Sequence, residues 1–584
     1  MSQLLPDLNS RKAFLDRCVL SASGLRFIHS GDEEDASSQV CDEAKLFVLC
    51  AIDALLEVGQ LKKGETLWLG RDARPTGPVL LNLAYSFLEK RGFVVKTMGL
   101  GPIPEIMAAT HQSGSEAFVY FTASHNPKGH NGLKLGLSDG AVLGKNLANP
   151  LIDACLGMYL DDQESEKIWH QAMGQVSLDE MKADKNESLS AYSKFSLSTI
   201  LPSDGDGFLD NISKAWGEGE KPLFLIDMNG SSRLASVDLD FLKKAGLEVE
   251  VMGGEPGVFH HAIIPEGASL EPLRLKMQEH LDAGKKVLGG MVPDCDGDRG
   301  NLILPIGGKA VALKAQETFA LCVLAEFGTR RALGEKGEMA LAANGPTSLR
   351  IDRLLEKLSV GVHRAEVGEA NVLAMAKELR SNDYMVPMAG EGSNGGNILH
   401  PSTVRDPLMT LLSLIKFIAY PIKDGQTAAE GQLKEGHMDP CSALEKIYRT
   451  LDPWCTTDAF EKEALMPVPP VSHEALKAGY ESLIQQHFED ESTFWESKSI
   501  ASIEFFSNDG TSNIPGPGGR PEGSKGGLQV FLKDSSGLNL GFLWMRGSGT
   551  EPVFRLMVDW SGSQEDYLDL LELHRSLLER AAVK

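Results

Sequence analysis

Ala117-Phe-Val-Tyr-Phe-Thr-Ala-Ser-His-Asn-Pro127 is the stretch on which the fold turns. The apolar run predicts a strand over 117–123, and Asn126, Pro127 and Gly129 then force a turn. A side chain at the C-terminal edge of a parallel strand points into the crevice where such sheets bind ligands, so Ser124 is a candidate nucleophile. Taken alone, Ser-His-Asn-Pro is better explained as a plain strand-end turn. A hydrolase triad is disfavoured: His125 adjoins Ser124 and is expected not to face it, and no Gly-x-Ser-x-Gly elbow is present.

Working outward, strands are predicted at 66–70 and 93–98, with amphipathic helices at 78–91 and 103–112. A second block repeats the plan: strand 223–228, helix 235–245, strand 247–252, helix 271–282, strand 287–292. A third runs strand 339–343, helix 347–358, strand 360–365, helix 369–380. Strands separated by helices imply βαβ units. The last quarter differs, with strands at 499–506, 528–533, 540–545 and 553–560 and a closing helix at 564–582. The fold expected is α/β: three similar α/β domains with mainly parallel mixed sheets, plus a C-terminal α+β domain with an antiparallel sheet. The boundaries expected are 1–205, 206–308, 309–425 and 426–584. Residues 423–440 read as a linker and the Gly/Pro/Ser-rich 507–527 as a mobile surface insertion.

Length agrees, since 584 residues exceed what one core supports. The net charge of −24 lacks the basic face that nucleic acid or an anionic membrane needs, so neither is an expected partner. Any phosphate site must be a local basic pocket. The eight cysteines are scattered without Cys-x-x-Cys or Cys/His clusters, which fits a reducing compartment and argues against a zinc module. The N-terminus reads as carrying no signal peptide, and a cytoplasmic location is expected. The most apolar helix, 408–422, is interrupted by Lys416 and Pro421 and reads as buried in protein.

Three more motifs carry chemistry. Asp294, Asp296 and Asp298 alternate, so an extended backbone would place the carboxylates on one side, where they repel unless a cation such as Mg²⁺ neutralises them. An EF-hand loop fails because Arg299 and Pro305 stand at its sixth and twelfth positions. In Gly390-Glu-Gly-Ser-Asn-Gly-Gly396, Glu391 and Ser393 suit sugar hydroxyls, although a Gly-rich turn is common. In Arg546-Gly-Ser-Gly-Thr-Glu-Pro-Val-Phe-Arg555, residues Ser548, Gly549 and Thr550 form a turn able to nest an anion, flanked by Arg546 and Arg555. A hairpin turn with incidental arginines is the bland alternative, and a P-loop is absent.

These four motifs, with Ser23-Gly-Leu-Arg26 and Gly70-Arg-Asp-Ala-Arg-Pro-Thr-Gly77, occur in the order found in the α-D-phosphohexomutase superfamily, which the chain resembles over nearly its whole length. The resemblance implies that Ser124 is a phosphoserine that donates and recovers a phosphoryl group. It implies that Asp294, Asp296 and Asp298 hold one Mg²⁺ together with a phosphoserine oxygen. Lys134 would be general acid/base, with Arg26 and His125 near the transferred group. Glu391 and Ser393 would contact sugar, with Arg299 the neighbouring sugar-loop arginine, and 546–555 would bind the non-reacting phosphate. The implied reaction interconverts hexose 1-phosphate and hexose 6-phosphate through a hexose 1,6-bisphosphate, which also serves as activator. Gly395 and Glu369 stand where many members carry His, so glucose, mannose, glucosamine and pentose phosphates stay open. A phosphoglucosamine mutase or phosphopentomutase would use the same motifs, and an inactive phosphosugar-binding paralogue is the remaining alternative.

Overall fold

The computed structural model describes residues 4–172, 184–201, 203, 205, 207–217, 219–459, 461–467, 472–520, 523, 526–547 and 553–583. The chain divides into two compact units, Met1–Ala312 with Pro401–Leu412, and Leu313–His400 with Ser413–Lys584.

The first unit holds two mixed sheets. One contains β1 (Val19–Ser21), β2 (Gly24–Ile28), β3 (Thr66–Arg71), β4 (Val94–Leu100), β5 (Ala117–Phe121) and β6 (His130–Leu137), in the order β1-β2-β6-β5-β3-β4. The other contains β7 (Leu223–Asp227), β8 (Glu248–Met252), β9 (Val287–Pro293), β10 (Gly300–Ile306) and β11 (Lys309–Ala312), in the order β11-β10-β9-β7-β8. The second unit also holds two. β12 (Met339–Asn344), β13 (Val360–Ala365), β14 (Met388–Glu391) and β15 (Gly396–Leu399) run β13-β12-β14-β15. The last sheet takes β16 (Cys455–Thr456), β17 (Leu465–Pro467), β18 (Ser502–Asp509), β19 (Ser512–Pro515), β20 (Leu528–Lys533), β21 (Asn539–Gly547) and β22 (Val553–Trp560), every pairing antiparallel.

Three sheets share one plan. β4-β3-β5-β6, β8-β7-β9-β10 and β13-β12-β14-β15 each pair three strands in parallel and a fourth antiparallel. The chain is therefore three similar α/β domains and an antiparallel α+β domain, as expected. β5 and β9 are buried along their whole length, which explains their continuous apolar reading. The strands β1, β2, β6, β10, β11, β14 and β15 were not predicted, because most are short or carry Gly and none shows a clean period of two. The helices Asp42–Val58 and Ala315–Ala332 were missed for the opposite reason, being apolar on most sides.

Three readings are corrected. The segment 423–440 contains a helix, Ala428–Leu433, closed by a capping box between Thr427 and Glu430. In the segment 507–527 the described residues up to 520 are anchored: β18 turns into β19, and Arg520 pairs with Glu481 at 2.6 Å with both side chains buried. The apolar helix runs Pro407–Ala419 and stops before Pro421. Its Lys416 is buried on Glu326 at 2.8 Å, a pair whose breaking costs about 3–5 kcal/mol. Among the described residues, no helix is long and apolar enough to cross a membrane.

Candidate active site

In the first unit, the connection from β5 to β6 carries Ser124. β5 ends at Phe121, and Ser124 adopts a left-handed φ of 55°, a costly conformation for a residue with a Cβ. Its surroundings over-determine that conformation. Thr122 Oγ1 accepts from the Ser124 N–H at 2.7 Å and donates to Asp72 Oδ2 at 2.7 Å. Arg74, fully buried, spends all five guanidinium N–H groups here. It donates to Asp72 Oδ2 (3.2 Å) and to the carbonyls of Ser124 (2.8 Å), Asn126 (2.6 Å), Pro127 (2.6 Å) and His130 (2.9 Å). That is the work of the Gly70–Gly77 motif, whose role the sequence left unspecified.

The turn brings Ser124 Oγ within 3.4 Å of His125 Nδ1, contrary to the expectation that the two would not face each other. A hydrolase dyad still fails. Arg299 Nη2 donates to His125 Nδ1 at 2.5 Å and to Ser124 Oγ at 3.3 Å, so the imidazole nitrogen facing the serine already has a cationic donor. Burial, followed by Arg299 and Arg26, lowers His125 well below the ordinary histidine range.

The three aspartates lie in the turn between β9 and β10, where Pro293 pairs with Gly300. Their convergence does not come from an extended backbone. It comes from the bend, with Gly297 at φ 69°, which brings one oxygen of each carboxylate within 4.8 Å of the others. All three are buried, and Oδ1 of Asp296 and Oδ1 of Asp298 have no hydrogen-bond partner. Buried oxygens of that kind mark a site for a cation, and an all-oxygen set suits Mg²⁺. The Oδ2 atoms are taken: Lys134 Nζ, on β6, donates at 2.8 Å to both Asp296 and Asp298, and Arg405 Nη2 reaches Asp298 at 2.6 Å. Burial, and then the charges of Asp296 and Asp298, push Asp294 well above the carboxylate range. Burial also works on Asp298, but Arg405, Lys134 and Arg299 outweigh it and hold that group well below. Arg26, on β2, feels Asp296 and Asp298 and adds to the same cationic rim. Arg405 escaped the sequence reading because no motif surrounds it.

Arg299 belongs beside the serine and the aspartates, with Asp294 Oδ2 at 3.2 Å from its Nε. The resemblance had implied a sugar-loop role for it.

In the second unit, the connection from β14 to β15 carries Glu391 and Ser393. Asn344, at the end of β12, donates to Glu391 Oε1 (3.1 Å) and Ser393 Oγ (2.8 Å), and Gly368 N–H donates to Glu391 Oε1 at 2.7 Å. Arg546 and Arg555 stand directly opposite on β21 and β22. Like charges so placed repel unless an anion joins them. Arg546 leans on Glu366 at 3.3 Å, and Arg555 donates to the Ala459 carbonyl at 2.5 Å. Ser548, Gly549 and Thr550 lie outside the described residues.

The chain is similar to known proteins. Residues 33–156 match the family described as phosphoglucomutase/phosphomannomutase, alpha/beta/alpha domain I, and residues 316–435 match its alpha/beta/alpha domain III. A probable phosphoglucosamine mutase of Methanosphaera stadtmanae is 23% identical over 87% of this chain and 89% of its own. A phosphoglucomutase/phosphomannomutase of Thermococcus kodakarensis is 23% identical over 94% and 96%. Among solved structures, parafusin of Paramecium in its open form superposes with a TM-score of 0.64 at 14% identity, covering 97% of this chain and 95% of that one. The chain belongs to the α-D-phosphohexomutase superfamily. It is an enzyme of the phosphohexomutase type, an isomerase of the intramolecular phosphotransferase kind.

Proposed function

We propose that this enzyme interconverts hexose 1-phosphate and hexose 6-phosphate, with Ser124 carrying the phosphoryl group between them. The observation that carries the reading is the group around Ser124 Oγ: Arg299 at 3.3 Å, in a loop whose carboxylates leave two buried oxygens without a hydrogen bond.

In the forward direction the phosphoryl P–O bond to Ser124 breaks as a P–O bond to the free sugar hydroxyl forms. The product is a hexose 1,6-bisphosphate and a free serine. After the bisphosphate turns around, its other phosphoryl group returns to Ser124. Asp294, Asp296 and Asp298 would hold Mg²⁺, which supplies charge neutralisation at the phosphoryl oxygens. Arg299 stays on Ser124 Oγ and stabilises the negative charge that this oxygen gains as it leaves. The proton lost by the sugar hydroxyl ends on Ser124 Oγ, and Lys134, whose Nζ lies 2.8 Å from Asp296 and Asp298, would relay it as general acid/base, giving a proton to the leaving serine oxygen and regaining one from the hydroxyl. Glu391 and Ser393 would orient the sugar, and Arg546 and Arg555 would take the phosphate that is not reacting. The second substrate reading is glucosamine phosphate, favoured by the Methanosphaera relative's name.

A coupled assay across glucose, mannose, glucosamine and ribose 1-phosphates tests the substrate. Intact mass before and after substrate should show a phosphoryl group on Ser124. No turnover on any of the four would overturn the reading.

A further inference from the structure

The metal loop has an outer face as well as an inner one, and that outer face is fully engaged. The four carbonyls of residues 294–297 each meet a donor. Ser231 Oγ donates to the Asp294 carbonyl at 2.6 Å, and Ser232 N–H to that of Cys295 at 3.0 Å. Ile103 N–H donates to the Asp296 carbonyl at 3.0 Å, and Arg233 Nε to that of Gly297 at 2.9 Å. A loop whose carbonyls are all pulled outward presents its carboxylates inward. Three of the four donors come from consecutive residues.

Arg233 is more than a hydrogen-bond donor. It is fully buried, and a Cβ on Gly297 would lie 2.8 Å from its Cγ, so it also forms a wall against the loop. Its Nη1 binds Asp238 at 2.7 Å and its Nη2 binds Asp406 at 2.6 Å. Asp406 also accepts from Tyr192 at 2.7 Å. The neighbour of Asp406 is Arg405, which holds Asp298. The metal loop is thus gripped at Gly297 and at Asp298 by one connected set of buried charges.

We propose that Ser231 and Arg233 are positioning residues that set the inward geometry of Asp294, Asp296 and Asp298 for a divalent cation. The proposal rests on the metal-dependent reading above. A buried arginine with two carboxylates is equally what a core ion pair looks like, so the test must read metal binding apart from folding.

Titrate Mg²⁺ into the purified full-length protein by calorimetry, without substrate, for wild type, Ser231→Ala and Arg233→Lys. Record thermal unfolding, kcat and KM for the same proteins. Arg233→Lys keeps the charge but cannot reach both Gly297 and Asp406. Mg²⁺ affinity should fall about 10- to 100-fold in Arg233→Lys, the usual cost of losing support behind metal ligands, and less in Ser231→Ala. kcat should fall with it, while KM for the phosphosugar stays within about 2-fold, since the support behind the ligands touches no sugar. Wild-type Mg²⁺ affinity in both folded variants overturns the proposal. If Arg233→Lys does not fold, Ser231→Ala decides alone: reduced affinity supports the proposal and unchanged affinity overturns it. A wild-type protein that binds no Mg²⁺ defeats the metal reading itself, and the proposal with it.

Discussion

The Ser124 loop and the Glu391–Ser393 loop occupy the same place in two sheets of the same strand order, each joining the third strand of the plan to its antiparallel fourth. They are held in different ways. Around Ser124 the partners are ions: Arg74 on four carbonyls, Asp72 behind Thr122, Arg299 on the hydroxyl. Around Glu391 and Ser393 the donors include neutral groups, among them Asn344, Asn394 and the Gly368 amide. The metal loop, in the equivalent place of another sheet, is the most charged of the three. Topology supplies one position three times, and under the proposed function the buried charge around each copy sets whether it would transfer a phosphoryl group, neutralise it or orient a sugar.

That contrast predicts a graded set of losses. Ser124→Ala should cost on the order of 10⁴-fold or more in turnover, because no other group takes over a covalent step. The fold should survive, and an intact mass without a phosphoryl adduct would complete the result. Near wild-type turnover would end the phosphoserine mechanism.

Asp296→Asn should come next, at roughly 10²–10³-fold in kcat, since several kcal/mol of charge neutralisation depend on the site. Excess chelator should do the same to wild type and be reversed by Mg²⁺. Activity that ignores chelation would make the metal loop a structural turn.

Glu391→Gln should lower kcat/KM by an amount worth about 1–3 kcal/mol, the range for a hydrogen bond to a charged group. A loss equal to that of Ser124→Ala would break the proposed division between reacting and orienting loops, and an unchanged kcat/KM on every sugar would remove Glu391 from the site.

The smallest effect concerns pH. Lys477 is buried with its Nζ on the Gly526 carbonyl, and burial, followed by Arg520 and Arg546, lowers its ammonium to about 8. The unfolded chain keeps that proton up to its ordinary value, so stability should rise with pH from about 8 toward about 10.4. Over pH 7–9 the cationic field at Arg546 weakens, and KM for phosphosugar should rise by about 2- to 5-fold, the worth of one partly screened charge. Lys477→Met should flatten that rise. A KM profile identical in the two proteins would show that Lys477 does not act on the phosphate.

Much of this was legible in the chain itself. The strands at 360–365, 528–533 and 553–560 agree with β13, β20 and β22, because short runs of Val and other aliphatic or aromatic residues announce a strand locally. The Ser124 turn, the aspartate triad and the Gly-rich loop announced themselves because each is built from residues adjacent in sequence. Why the aspartates converge was not legible, since a bend at Gly297 does what alternation was expected to do. The nearness of His125 to Ser124 Oγ was also hidden, because it depends on a left-handed φ that Arg74 enforces from 50 residues away.

By itself, then, the sequence determined the secondary structure of many strands and the identity of the candidate reacting groups, both of which are local properties. Only the tertiary structure decided which cation meets which carboxylate. Arg233 and Arg405 carry no signature along the chain, and Arg299, although it closes the aspartate motif, carries none for the serine it meets. Their partners lie up to 175 residues away, and each has its role because burial leaves a charge no solvent and therefore no choice but the partner the fold supplies.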